Sequence, residues 1–226
     1  MRIDILTLFP EMFDGFLETS IIKRAREDGY VDIQVHNFRD YSTDKHNRVD
    51  DYPYGGGAGM VLMCEPIFNA IEAIKTDESI VIMMSPAGKV FKQEMALDLS
   101  RQKHIILLCG HYEGFDERIR TIVDMEISIG DYVLTGGEIP AMAITDAITR
   151  LIPGVISSNS LDSESFNDGL LDYPNYTRPE EFRGMRVPEV LLSGHHKNIE
   201  KYRQDERIRR TNEVRSDLTG GNSHEW

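Results

Sequence analysis

The chain has 226 residues and a formal net charge of -13. Its 40% hydrophobic and 28% charged residues exclude a mainly disordered chain and a fibrous repeat, and at roughly 150 residues per domain the length fits one large domain with a small appendage. The acidity argues against coating nucleic acid by bulk charge, though not against an enzyme with a local basic patch.

The N-terminus, MRIDILTLFPEMF, is broken by Asp4 and Pro10 and has no small-residue cleavage site, so it reads as a first strand and not a signal peptide. No apolar run nears the roughly 20 residues of a membrane helix. Predicted in chain order are a strand Ile3–Phe9, a helix Phe13–Glu27 closed by Gly29, and a half-buried strand Val31–Asn37. A long polar loop Arg39–Gly59 and a helix Pro66–Lys75 follow. Next come a strand Ser79–Met84, a helix Lys92–Arg101, a strand His104–Cys109 and a helix Asp116–Asp124. A short strand Met125–Ile129 and a helix Glu138–Leu151 complete the alternation. Such alternation predicts a parallel α/β sheet with helices on both faces and ligands beyond the carboxyl ends of its strands. Cys64 and Cys109 lie in apolar runs and read as reduced core residues of a cytoplasmic protein; neither a disulfide framework nor a metal site is expected.

After Pro153-Gly154 the texture changes. Ser157–Asp168 reads as a flexible linker, and from Tyr173 onward there is no strand signal, only proline-punctuated turns and a basic helix from about His195 to Arg210. The expected organisation is an α/β domain over 1–156, a linker over 157–172, and a helical domain over 173–226 with frayed ends from Thr219. The basic residues Lys197, Lys201, Arg203, Arg207, Arg209, Arg210 and Arg215 stand among acids at helical spacing. They read equally well as a nucleic-acid patch or as a solvated, self-paired face.

Three strand ends run into glycine-rich turns: Met83–Gly88, Cys109–Gly114 and Ile129–Pro140. Glycine allows close backbone approach, so three such loops on one sheet edge would form a pocket walled by main chain and suited to a flat heteroaromatic ring. A fourth loop, Asp50–Met60, lacks the Gly-Lys-Ser/Thr ending of a P-loop; its aspartates and tyrosines suit contact with a base or ribose. His195-His196 are adjacent on a helix and do not share a face, which argues against a paired metal site there.

Five segments together resemble the bacterial tRNA (guanine-N1)-methyltransferase family: Leu8–Phe13, Pro53–Met60, Gly110–Gly114, Ser128–Leu134 and Tyr176–Pro179. The match runs from Met1 to about Tyr202. The resemblance implies the SPOUT class, whose parallel sheet carries a deep trefoil knot followed by a small helical C-terminal domain. It implies methylation at tRNA position 37, with S-adenosyl-L-methionine held by the knot. Matching positions are Met84, Ser85 and Pro86, then Gly110, Tyr112 and Glu113, then Ile129, Gly130, Asp131, Tyr132, Val133 and Leu134 with Gly136, Gly137 and Pro140. It also implies a homodimer with sites between subunits, tRNA as the partner, gripped with the help of the C-terminal domain of the other chain (residues 173–226), and no membrane.

Methyl transfer to guanine N1 calls for a base to remove the N1 proton and a cation to stabilise O6. By the resemblance Arg150 takes the O6 role, Glu113 belongs to the cofactor loop, and Mg2+ is a candidate to share the O6 charge. The family's aspartate before Ser-Phe is replaced here by Glu164, in Leu161-Asp162-Ser163-Glu164-Ser165-Phe166. Glu164 is the expected base and Asp162 its rival. Asp51, Gly55 and Gly59 of the fourth loop, with Arg178, are the candidate substrate contacts.

Overall fold

The structure, a computed structural model, describes residues 1–157 and 164–220. The chain forms two compact units, Met1–Ile156 and Ser157–Trp226.

The first unit begins with β1 (Arg2–Thr7), a 3-10 turn at Pro10–Phe13, α1 (Asp14–Leu17), α2 (Ser20–Glu27) and β2 (Asp32–Asn37). A 3-10 turn at Phe38–Tyr41, β3 (Asp50–Asp51), β4 (Val61–Leu62) and α3 (Cys64–Ile74) follow. Then come β5 (Ser79–Val90), α4 (Gln93–Leu99), β6 (His104–Leu108), a 3-10 stretch at Glu117–Ile122, β7 (Met125–Ser128) and α5 (Glu138–Thr149).

Five strands form one parallel sheet in the order β2-β1-β6-β5-β7. Successive side chains of a strand point to opposite faces, so a sheet covered on both sides needs near-continuous apolar strands. On one face Ile3, Ile5, Ile82, Ile105 and Leu107 pack with Ile22 of α2 and Ala141, Ile144 and Ile148 of α5. On the other, Leu6, Val81, Met83, Ile106 and Leu108 pack with Ile67, Ala70 and Ile71 of α3.

Several expected elements differ in form. The helix expected over 13–27 is two pieces, because Ser20 takes a left-handed φ of 53° and Thr19 is extended. Gly29, at φ 76°, closes the second piece as expected. The loop 39–59 contains a 3-10 turn and β3, which pairs antiparallel with β4. The segment 116–124 is 3-10 and not α-helical: the Asp116 carboxylate accepts from the Arg118 N–H and caps it, and β-branched Ile119, Thr121, Ile122 and Val123 weaken an α-helix. β5 continues to Val90 because Ser85–Gly88 loop out of the strand, whose pairing with β7 resumes at Lys89 opposite Ile127. Cys109 is buried, and Cys64, half-buried at the start of α3, packs against the core on that face; burial first, then neighbouring Asp116, pushes its thiol pKa up.

The second unit contains β8 (Glu181–Phe182), β9 (Met185–Arg186), α6 (Glu189–Leu192) and α7 (His196–Val214), ending in a 3-10 turn Ser216–Thr219. The β8–β9 hairpin contradicts the expectation of no strand after Tyr173. Its two-residue turn, Arg183-Gly184, has φ of 53° and 80°, the sign that type I′ hairpins require. Nor is the described part of the expected linker without anchors. Both Asp168 oxygens bind the buried Arg207 guanidinium at 2.8 and 2.5 Å, and the Leu171 N–H donates to Thr211 at 2.9 Å. That pairing holds the Asp168 carboxyl below its usual range.

A charged group sits inside the sheet. Asp4 of β1 is fully buried, and its two oxygens lie 2.6 Å from His36 and 2.6 Å from His104, with Arg2 also 2.6 Å away. Burial alone would raise its pKa; the hydrogen bonds from His36, Arg2 and His104 outweigh it and bring the carboxyl to about 2, from 3.8. A carboxyl held low contributes stability that is complete above pH 4 and is lost as pH falls toward 2. Asp4→Asn should cost about 2–4 kcal/mol at neutral pH. Denaturant unfolding from pH 5 to pH 2 should show wild type losing its advantage over Asp4→Asn; a constant gap would contradict this role.

Candidate active site

Beyond the carboxyl ends of β6 and β7, and where Ser85–Gly88 loop out of β5, lies a cavity of about 510 Å³. Its walls are the loop Met84–Ala87, the loop Gly110–Phe115, and the loop Ile129–Gly137 with Pro140 of α5. The three glycine-rich turns therefore converge, as their spacing predicts. Of the fifteen positions expected at the cofactor, all line this cavity except Asp131, which is exposed beside it.

Glycine is required here for measurable reasons. A Cβ on Gly137 would lie 2.7 Å from the Cys109 Cα and 2.8 Å from the Gly110 nitrogen, both backbone atoms that cannot rotate away. A Cβ on Gly88 would meet the Glu126 and Ile127 backbone at 2.5 Å. The same intimacy lets the Gly137 N–H donate to the Gly110 carbonyl at 2.9 Å and lets His111 bridge Gly136. Two loops far apart in sequence are thus joined main chain to main chain.

Side chains tie the cradle to the first strand. Glu138, the first residue of α5, is 2% exposed, and one oxygen accepts from the Thr7 hydroxyl at 2.8 Å. That hydroxyl in turn accepts from the Phe9 N–H at 2.9 Å. A carboxylate in the first turn of a helix also gains from its dipole. Cys109, fully buried behind the pocket, has its thiol pKa pushed well up by burial and by the Glu138 charge. His111 packs against Phe9 and Tyr112 with ring centroids 4.9 Å apart, and its buried Nδ1 has no partner within the described residues.

The fourth loop leans on this site. The Glu113 N–H donates to the Met60 carbonyl at 3.1 Å, and a Cβ on Gly59 would strike the Glu113 side chain at 2.5 Å. Gly59 therefore stands beside Glu113. Gly55 is exposed with φ 88° and open space around it, and exposed Asp51 accepts from the Tyr52 N–H.

Arg150 follows α5 as its C-cap, its N–H bonded to the Asp146 carbonyl. Glu164 opens the described part of the second unit and is half-buried, and Asp162 lies outside the described residues. Arg178 is exposed in the second unit.

The sequence reading did not assign Phe115, Glu117 and Arg120, which also line the cavity. Phe115 lies under Gly110, where a Cβ would touch its ring at 2.7 Å. Arg120 bonds Glu117 at 2.9 Å and pairs with Glu126. Phe115 directly follows the second glycine-rich loop, whereas Glu117 and Arg120 sit in a segment that reads as an ordinary helix, without a glycine to flag it. No group of three or more His, Cys, Asp or Glu arranged to hold a metal occurs among the described residues.

A parallel α/β unit with a main-chain-walled cavity at the carboxyl edge defines an enzyme-like ligand-binding domain. Comparison with known proteins makes the class particular. A family model described as tRNA (Guanine-1)-methyltransferase TrmD matches residues 1–221. A tRNA (guanine-N(1)-)-methyltransferase of Staphylococcus haemolyticus (strain JCSC1435) is 59% identical over 221 residues, covering 96% of this chain and 90% of that protein. Proteins of the same description from Staphylococcus carnosus (strain TM300), at 59%, and Staphylococcus aureus (strain JH9), at 58%, match with the same coverage. The chain belongs to the tRNA (guanine-1)-methyltransferase family.

The cradle's close approaches yield a direct expectation. Gly137→Ala should lower stability by about 1–3 kcal/mol, since the added methyl meets backbone of Cys109 and Gly110 at under 3 Å. Gly15→Ala, in α1 with nothing within 4 Å of the added carbon, should be neutral or gain up to about 1 kcal/mol. Thermal unfolding of both variants checks the contrast; equal midpoints would show that the loop approach is not tight.

Proposed function

We propose that this chain transfers a methyl group from S-adenosyl-L-methionine to N1 of the guanosine at position 37 of tRNA. The observation that carries the reading is the convergence of three glycine-rich loops on one cavity, in a chain of the tRNA (guanine-1)-methyltransferase family.

The residues present fit the donor. A cavity of about 510 Å³ lies in the range for a ligand of that size. Main-chain N–H and C=O groups brought close by glycine on its walls suit an adenine edge. Glu113 on its lining favours a cation such as a sulfonium, while Glu117 there is paired with Arg120. The donor, when bound, supplies a methyl group already activated by its positive sulfur. We further propose that the loops cross as a trefoil knot; the passage of Gly137 against Cys109 and Gly110 supports that threading.

The protein's own task is to make the guanine nucleophilic. N1 carries a proton, and removing it leaves charge shared with O6. In this reading Glu164 accepts the N1 proton, with Asp162 as the rival base, and the Arg150 guanidinium stabilises the charge on O6. Glu113 orients the donor. Asp51, Gly55 and Gly59 meet the target nucleotide, and Arg178 meets the RNA backbone. No group of three or more His, Cys, Asp or Glu that could hold Mg2+ occurs among the described residues. The working enzyme is a cytoplasmic homodimer with sites between subunits; exposed Met12 and Ile139 are apolar surface that a second copy would cover. No helix among the described residues is long and apolar enough to cross a membrane.

Transfer of labelled methyl to an unmodified tRNA transcript with guanosine at positions 36 and 37 tests the reading. Glu164→Gln should lower the rate by about a hundredfold or more, and Arg150→Ala by a similar factor, while Asp162→Asn stays near wild type. Loss in Asp162→Asn alone would move the base to that residue. An inactive wild type would overturn the function.

A further inference from the structure

The second unit has its own cavity, about 530 Å³, formed entirely within residues 173–203. Its floor is apolar, from Val187, Leu191 and Ile199. Tyr173 and Tyr176 form its aromatic walls, and Arg178, Glu180 and Arg203 supply its charges. The elements bring these together simply. Ile199 and Arg203 are four residues apart on α7 and share a face. The Val187 N–H donates to the Glu180 carbonyl at 2.9 Å, extending the hairpin alongside.

The arginines of this unit fall into two groups. Arg207, Arg209 and Arg215 of the basic stretch are consumed by Asp168, by Glu206 and Glu213, and by Asp217. Arg186 is paired with Glu181; Arg178 and Arg203, like Arg183 and Arg210 outside the cavity lining, have no carboxylate within ion-pair distance among the described residues. Arg203 instead lies over the Tyr173 ring, 4.7 Å from its centroid. In a chain of net charge -13, two guanidinium groups that line one cavity without a paired acid, beside two tyrosines, suit an anionic partner. A flat ring attached to a phosphate meets all of these at once: stacking on the tyrosine and arginine faces, an apolar floor beneath, and charge at the rim.

We propose that this cavity is a subsite for one unpaired nucleotide of the RNA substrate, separate from the cavity of the first unit. The base enters against Tyr176, which is 49% exposed. Arg178 and Arg203 face its phosphate, and Glu180 is placed to accept from a base N–H. The subsite reads an extruded base by stacking, so it tolerates sequence and adds affinity. The inference rests on tRNA being the substrate.

The test compares full-length wild type, Tyr176→Ala, Tyr176→Phe and Arg178→Ala for binding to unmodified tRNA across a salt series. S-adenosyl-L-methionine binding, methyl transfer and oligomeric state are measured on the same preparations. Tyr176→Ala should weaken tRNA binding about tenfold with donor affinity unchanged, and Tyr176→Phe, which keeps the ring, should restore it. Arg178→Ala should lessen the slope of log affinity against log salt by about one. Unchanged tRNA affinity in Tyr176→Ala with wild-type methylation intact overturns the subsite alone. So does a Tyr176→Phe defect equal to that of alanine, which would assign the residue to its hydroxyl bond with Tyr202. A change of oligomeric state without a change in RNA affinity gives the cavity to a second copy and overturns it as well. Wild type that neither binds nor methylates tRNA overturns the reading on which the subsite rests.

Discussion

The contact on which the site depends is backbone against backbone. Gly137 lies so close to Cys109 and Gly110 that no other residue fits without movement. From that approach follow the Gly137–Gly110 hydrogen bond, the start of α5, and the placing of Glu138 under Thr7. Main-chain groups fixed this way keep their geometry without spending side-chain entropy at the moment of binding. A cofactor cradle made of main chain is therefore organised before its ligand arrives.

The molecule divides its labour accordingly. The first unit has a sheet whose central strands are largely apolar, with Asp4, hydrogen-bonded to His36 and His104, as the buried carboxylate inside it. The second unit is small and charged, and its stability leans on the buried Arg207 and the segment it fastens, Asp168 to Leu171. The chain's acidity is carried mostly by the first unit. Residues 157–226 contain ten Lys and Arg against thirteen Asp and Glu, which leaves the second unit much less acidic than the first and less repellent to a polyanion.

The parallel sheet was legible because its strands announce themselves. His104–Leu108 is apolar apart from its first residue and is buried throughout, and the glycine pairs at strand ends mark where a ligand approaches. What was illegible lacked such marks. The 3-10 stretch 117–122 has helical composition, and only the Asp116 cap and its β-branched residues separate it from an α-helix. The β8–β9 hairpin turns on Arg183-Gly184 without the Asn-Gly signature, between strands of two residues each. Arg120 and Phe115 reach the cavity through tertiary folding alone. The anchoring of Asp168 by Arg207 spans 39 positions, a partnership that no local window of a Ser- and Asp-rich segment reveals.

The central claim is that the glycine-rich cradle at the carboxyl edge is the donor site. Amide hydrogen exchange of the whole protein with and without S-adenosyl-L-methionine tests it most directly. The account predicts slowed exchange in three separate segments, 84–90, 110–115 and 129–137, with little change at the opposite end of the sheet around Asp4 and His104. Slowing confined to the second unit, or absent from those three segments at saturating donor, would contradict it.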